Sequence, residues 1–335
     1  MNALSILLFI LFSPDTYIYI GWGLLLLLTL IVVAGLVRLR RRRWLRVLML
    51  VTLLLCWWAF LWGSYVGVRQ LRVVHVEFTS ADLPKEFDGY RIVQFSDAHV
   101  GTFTGWRKDL LRKAIDSINA QHADAVVFTG DLKNKTYDEI TEHLPQLRRI
   151  KARDGVFSVL GNHDYPMYIS DFKHPYELEL DQGMVENYQD DMGWVLLTNG
   201  RHRIRRDSAS IVIAGMENDG EGRFPQLGDV NSALFGIARD EFVVMLEHDP
   251  SAWRRKILPH SHVQLTLSGH THGGQFSLFG WSPVSLAKRY SNGMYYMGNR
   301  ALYVSPGLSG VIPFRLGVPP EITVITLRSE MRNKQ

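Results

Sequence analysis

Two long uncharged apolar stretches open the chain, and short apolar runs separated by polar loops come after them. Residues 17–37 and 47–68 contain no charged side chain. About 20 helical residues at roughly 1.5 Å rise cross a hydrocarbon core of about 30 Å. Trp57, Trp58 and Trp62 crowd the second stretch, and an arginine block separates it from the first, so the pattern predicts an N-terminal transmembrane helical hairpin. Residues 3–13 are apolar but too short to span alone, and Pro14-Asp15 separates them from the first long stretch, which suits an interfacial segment. From residue 73 the runs shorten: 91–95, 125–128, 156–160, 242–246 and 263–268 read as strands, and 106–118 and 138–150 as helices. The expected organisation is a membrane anchor over 1–72 and an α/β domain over 73–335. Loops at the carboxyl ends of its strands can converge on one site.

Charge sets the orientation. Arg38, Arg40, Arg41, Arg42, Arg43 and Arg46 supply six positive charges while the whole chain nets +4, so the remainder is about −2. A nucleic-acid partner is therefore not expected. The positive-inside rule places the basic segment 38–46 in the cytoplasm and the domain outside it, with Arg69 and Arg72 opposing weakly. The expectation is a multi-pass inner-membrane protein with an extracytoplasmic domain and the lipid bilayer as a partner. The single cysteine, Cys56, excludes an intrachain disulfide.

The strand ends carry metal-ligand chemistry. Strand 263–268 runs into Gly269-His270-Thr271-His272-Gly273-Gly274-Gln275. On an extended backbone, residues i and i+2 project to one side about 6–7 Å apart, so His270 and His272 can serve two neighbouring ions. Asp97 and His99 repeat that spacing, and Asp131, Asn162 and His248 add a carboxylate, an amide oxygen and an imidazole. This sulfur-free pool of oxygen and imidazole donors suits a pair of divalent ions, Mn, Fe or Zn. Two ions about 3.5–4 Å apart polarise a phosphoryl group and convert a bound water to hydroxide at neutral pH, which is the chemistry of phosphoester hydrolysis.

The ordered blocks Asp97-Ala98-His99, Gly130-Asp131-Leu132-Lys133-Asn134, Gly161-Asn162-His163-Asp164, His248 and Gly269-His270-Thr271-His272 resemble the calcineurin-like metallophosphoesterase superfamily over residues 73–327. Gly269 to Gln275, together with Leu302-Tyr303-Val304-Ser305-Pro306-Gly307-Leu308 and Pro319-Pro320-Glu321-Ile322, is similar to its membrane-associated bacterial phosphodiesterase branch. The resemblance implies a β-sandwich flanked by helices in place of the plainer doubly wound sheet. It also implies that Asp97, His99 and His272 hold one ion, that Asp131 bridges, and that Asn162, His248 and His270 hold the second. His163 would stand over the substrate as general acid, oriented by Asp164, and Asn134, where many relatives have aspartate, would support the first ion without binding it. The histidines 75, 122, 143, 174, 202, 260 and 262 match no motif.

Specificity is expected from segments 165–191 and 276–300, where Tyr165, Tyr168, Phe172, Tyr176, Trp281, Tyr290, Tyr295 and Tyr296 could line a cleft and Lys288 and Arg289 could meet phosphate. Tethering beside a bilayer favours a lipid-linked or envelope-derived phosphodiester. Two other readings are a cytoplasm-facing pyrophosphatase of nucleotide-linked lipid A precursors and a membrane protein that binds metal or a partner without turnover.

Overall fold

The computed structural model describes residues 13–169, 174–287 and 289–330; most of segment 3–13, Phe172 and Lys288 lie outside them. The two apolar stretches form helices Pro14–Arg38 and Arg43–Leu61, the second continued by a wide turn, Trp62–Val66, and a tight one, Gly67–Arg69. Ser13 caps the first helix by accepting a hydrogen bond from the Thr16 amide. Both helices are long and apolar enough to cross a membrane. Leu30 and Leu54, each 68 % exposed, show that their outward faces are not buried by protein. They pair along a seam where Gly21 faces the Phe60 ring and Trp22 meets Trp57 edge-on at 5.4 Å. Arg38 closes one helix and Arg43 opens the other, so the basic cluster straddles the helix ends and occupies more than the connecting loop.

Among the described residues the domain is built from twelve strands in two six-stranded sheets. β1 (Arg72–Ser80), β2 (Arg91–Phe95), β3 (Ala125–Phe128), β4 (Val156–Ser158) and β5 (Val195–Leu196) belong to the first. The chain then crosses to the second through β6 (Gly200–Arg206), β7 (Ala209–Gly215), β8 (Phe242–Leu246), β9 (Leu265–Ser268), β10 (Gly293–Met297) and β11 (Arg300–Val304). It returns with β12 (Glu321–Ser329), giving the orders β1-β12-β2-β3-β4-β5 and β10-β11-β9-β8-β7-β6. β2 to β5 run parallel in one sheet, as do β7, β8, β9 and β11 in the other.

The sheets pack face to face. Ile92, Val127 and Phe157 from the first meet Ile213, Val244 and Leu267 from the second in one buried cluster. Their sequence neighbours Val93, Val126 and Phe128 point the other way, under Leu111, Ala114, Ile115 and Ile118 of helix Lys108–Asn119. Val243 and Met245 cover the opposite outer face with Trp253 and Ile257. This is the sandwich flanked by helices, and the single doubly wound sheet suggested by strand and helix alternation is replaced by it. Strands buried on both faces read as unbroken apolar runs, which explains why no alternation marked them.

Local differences have local causes. The helix expected over 138–150 is two separate turns, Asp138–Thr141 and Leu144–Leu147. Pro145 has no N–H to bond the preceding turn and so interrupts it. β4 is shorter than the expected run and ends at Ser158, although the Val159 amide still bonds the Phe128 carbonyl of β3 at 3.1 Å.

Candidate metal centre

Five strands from two sheets end at the same edge of the sandwich, so loops far apart in sequence converge. The two sheets are tied at this edge by the Gln94 side chain, whose Nε2 donates to the Ser268 carbonyl (2.9 Å) and to Thr129 Oγ1 (3.1 Å). Asp97 and His99 follow β2, Asp131 follows β3, Asn162 and His163 follow β4, His248 follows β8, and His270 and His272 follow β9. Asp97, His99, Asp131, His270 and His272 all adopt positive φ, between +42° and +72°. Backbone in that region is uncommon outside glycine, although Asp and His tolerate it better than most residues, and five such residues at one edge mark a place where surrounding structure enforces it. Glycine supplies the clearance: a Cβ on Gly161 would sit 2.3 Å from Asp131 Oδ1, and one on Gly269 would sit 2.3 Å from Asp97 Oδ2.

The donor atoms are close. One ligand atom from each of Asp97, His99, Asp131 and His272 lies within 4.8 Å of the others. Asp131 is central: its Oδ2 is 3.5 Å from His99 Nε2 and 3.2 Å from His248 Nε2. On the other side Asn162 Oδ1 is 2.7 Å from His270 Nδ1, and Asn162 Nδ2 donates to the Tyr168 hydroxyl at 2.8 Å. Asp97, His99, His272 and His248 are thus gathered at Asp131, and the Asn162–His270 pair adjoins them through the His270 ring, 5.2 Å from that of His248. Both ring nitrogens of His99 are buried without a hydrogen-bond partner. Buried polar atoms are nearly always satisfied, and a divalent cation would complete this set of carboxylate, amide and imidazole donors.

Burial and mutual charge tune these groups. Burial lowers His99 to about 3, which keeps its lone pairs available. Burial raises Asp97 to about 7 against the opposing pull of His248. At Asp131 burial is outweighed by the His248 and His163 imidazoles, and the carboxyl is held well below its ordinary range. Burial also acts on His248, but the Asp131 carboxylate prevails and raises it to about 10. Ring orientation is fixed from outside the cluster by carbonyls: Thr129 O holds His248 Nδ1 at 2.7 Å and Ser309 O holds His272 Nδ1 at 3.0 Å. Because a carbonyl only accepts, each of these Nδ1 atoms carries a proton, and Nε2 is the ring atom turned toward the site.

His163 stands beside the donors. Its ring is 4.8 Å from that of His99 and stacks on Tyr168 at 4.0 Å. The expectation that Asp164 orients His163 is corrected by the geometry. His163 Nδ1 is 2.6 Å from the Asn134 carbonyl. The Asp164 carboxylate instead accepts from the amides of Asp131 (2.9 Å), Leu132 (2.8 Å) and Gly161 (2.9 Å). A buried carboxylate among backbone N–H groups is fully engaged by them, so it staples the two loops together. Asn134 contributes through its main chain, while its side-chain amide turns away to Thr102 Oγ1 at 3.1 Å.

Of the aromatic residues expected to line a cleft, Tyr168 meets the donors. Tyr165 is buried beside Glu217, Tyr290 packs on Trp253, and Tyr176 stacks on His174 away from the ligands. Two residues near His270 carried no role in the sequence reading. Asp249 Oδ2 is 3.4 Å from His270 Nε2, and the Phe224 ring meets that imidazole edge-on at 5.0 Å. The Glu247-His248-Asp249-Pro250 loop offered the signal for Asp249; nothing in the sequence marked Phe224. The buried Arg315 guanidinium, likewise outside every motif, donates to the Pro306 carbonyl at 2.8 Å and to Ser309 O, supporting the carbonyl that orients His272.

Residues 90–274 match the calcineurin-like phosphoesterase family. The chain belongs to that family. It is a metallophosphoesterase, a hydrolase of phosphoester bonds. It is 33 % identical over 286 residues to the uncharacterized metallophosphoesterase YkuE of Bacillus subtilis, covering 80 % of this chain and 91 % of that one. A transmembrane protein with metallophosphoesterase domain from Danio rerio is 31 % identical over 277 residues, covering 80 % of this chain and 60 % of its own length. Among solved structures, TT1561 of Thermus thermophilus aligns with 65 % of this chain and 90 % of its own at 14 % identity and a TM-score of 0.41.

Proposed function

We propose that this metallophosphoesterase is a membrane-anchored phosphodiesterase working through two divalent ions of Mn, Fe or Zn. Residues 1–72 would form the anchor and 73–335 the catalytic domain, extracytoplasmic at the inner membrane, acting on a lipid-linked or envelope-derived phosphodiester. The observation that supports the reading is the Asp131 carboxylate oxygen 3.5 Å from His99 Nε2 and 3.2 Å from His248 Nε2, beside Asp97 and His272.

In this reading Asp97, His99 and His272 hold one ion, Asn162, His248 and His270 the other, and Asp131 serves both. The bound ions would polarise the phosphoryl group and supply an activated water for attack. His163 acts on the leaving group. With Nδ1 bonded to the Asn134 carbonyl, its Nε2 is the position from which a proton is delivered to a departing alkoxide. Tyr168, stacked on His163 and bonded to Asn162, couples the orientation of the acid to that of a ligand.

The test is hydrolysis of an aryl phosphodiester and the matching monoester by the full chain in detergent, before and after chelation and reloading with Mn²⁺. The expected result is metal-dependent turnover with the diester preferred; preference for the monoester would overturn the diesterase assignment. Protease added to intact spheroplasts should digest the domain, because six arginines bias the segment between the helices to the cytoplasm. Protection until lysis would place the domain inside and favour the pyrophosphatase reading.

A further inference from the structure

We propose that segment 276–287 inserts into the bilayer that holds the two helices, seating the metal centre at the level of the lipid headgroups. This rests on the anchoring reading above. The segment, Phe-Ser-Leu-Phe-Gly-Trp-Ser-Pro-Val-Ser-Leu-Ala, contains no charged residue. Leu278 and Trp281 exchange backbone hydrogen bonds at 2.8 and 3.0 Å, closing a two-residue turn over Phe279 and Gly280. Both turn residues have positive φ, +51° and +82°, the pair of conformations such a turn requires. Glycine adopts it freely, whereas phenylalanine does so against its preference. The result is a phenylalanine held at the tip with its side chain 100 % exposed, flanked by Leu278 and Trp281 at 52 % each and followed by Leu286 at 80 %. Single exposed apolar residues are ordinary on a protein surface, but a projecting loop made of them marks an interaction site.

The place of the loop selects the bilayer as its occupant. Ser277 N donates to the Leu316 carbonyl at 2.7 Å, and the adjoining Arg315 N donates to the Gly63 carbonyl at 2.9 Å. Gly63 lies at the end of the second apolar helix, and the Phe314 ring fills the space a side chain there would occupy. The loop is thus joined through residues 314–316 to the point where the helix enters the domain. Tyr65 stacks on Trp106 at 6.4 Å, and the Arg69 guanidinium lies 4.0 Å over the Trp106 ring, at that same junction. Aromatic and basic residues collect at membrane interfaces, and a tethered membrane is present at this face continuously. An apolar loop entering the interface reaches about 5–10 Å into it. On its other side the loop holds the site: Ser282 Oγ donates to the Gly273 carbonyl at 3.0 Å, one residue beyond His272. Insertion therefore fixes the height of the donors above the lipid and presents them to a phosphoester carried in the headgroup plane.

The test uses the full chain with Cys56→Ser and single substitutions Phe279→Cys, Leu286→Cys, Leu54→Cys or Asp207→Cys, each carrying a polarity-sensitive fluorophore in phosphatidylethanolamine and phosphatidylglycerol vesicles containing brominated lipid. The expected result is lipid quenching at positions 279 and 286 of the same order as at 54, and none at 207. Quenching at 54 with none at 279 or 286 overturns the insertion and leaves the anchor standing. Absence of quenching at 54 overturns the anchoring reading and the insertion with it. Protection of 279 from aqueous iodide without lipid quenching shows that protein, such as a second copy of this chain, covers the loop, and also overturns the proposal. Metal-dependent hydrolysis of a soluble aryl phosphodiester within about twofold of the parent verifies folding, since these exposed positions lie outside the donor set.

Discussion

The two sides of the metal centre are built from different materials. On one side Asp97, His99 and His272 gather with Asp131, so two carboxylates and two imidazoles share a space 4.8 Å across. On the other, Asn162 and His270 meet each other at 2.7 Å, His248 approaches Asp131, and the carboxylate near His270 Nε2 is that of Asp249. A neutral amide takes the place that a charged oxygen occupies opposite. In the proposed two-ion reading the carboxylate-rich side should bind its ion more tightly, and the other side should depend more on groups that orient its ligands, chiefly Tyr168.

Removing the shared group should have the largest effect. Asp131→Asn is expected to weaken both sides together and abolish nearly all turnover; retention of two tightly held ions by metal analysis would separate the two sides and end the bridging assignment. His163 belongs to neither side. His163→Ala should keep the metal content and lose about 10²–10⁴-fold on alkyl phosphodiesters, with a much smaller loss on esters whose leaving group departs as a stable anion. Equal loss on both substrates would show that the residue stabilises phosphoryl charge and donates no proton.

The next effect in size falls on stability. Asp164→Ala orphans the amides of Asp131, Leu132 and Gly161 and should cost at least about 3 kcal/mol in denaturant unfolding of the metal-free protein. A neutral change in stability together with the substrate contrast of the His163 variant would restore Asp164 as the residue orienting that imidazole. The smallest effect sharpens the comparison itself. Tyr168→Phe removes the hydroxyl held by Asn162 and should lower the affinity for one ion by about 10–100-fold while leaving the other unchanged. Equal weakening of both ions in a calorimetric titration would mean that the two sides do not differ in the way described.

Much of this site was legible because its chemistry is concentrated in short motifs at strand ends. Asp97-Ala98-His99 and Gly269-His270-Thr271-His272 each name two donors within three residues, and the apolar run before each motif fixes which end of a strand carries it. The groups that orient those donors were not legible. Asn134 acts through its carbonyl, as do Thr129 and Ser309, and every residue has a carbonyl. Asp164 was misassigned for a related reason: sequence adjacency to His163 suggested a side-chain contact, but the loop after β4 turns the two side chains apart, and backbone amides of the neighbouring loop capture the carboxylate.

The sequence by itself determined the two membrane-length helices and five of the twelve strands described, and it put candidate donors at the ends of those five, because composition and local spacing encode them directly. The tertiary structure decided that the strands form two sheets and not one. A strand buried on both faces has the same apolar run whether helices or a second sheet cover it, as Val126-Val127-Phe128 illustrates with neighbouring residues in two different clusters. It also decided which side of the site Phe224 and Asp249 would occupy, and that the uncharged loop around Phe279 would stand beside the helix exit at Gly63. Those placements depend on contacts between segments remote from one another in the chain, and no local pattern records the distance between them.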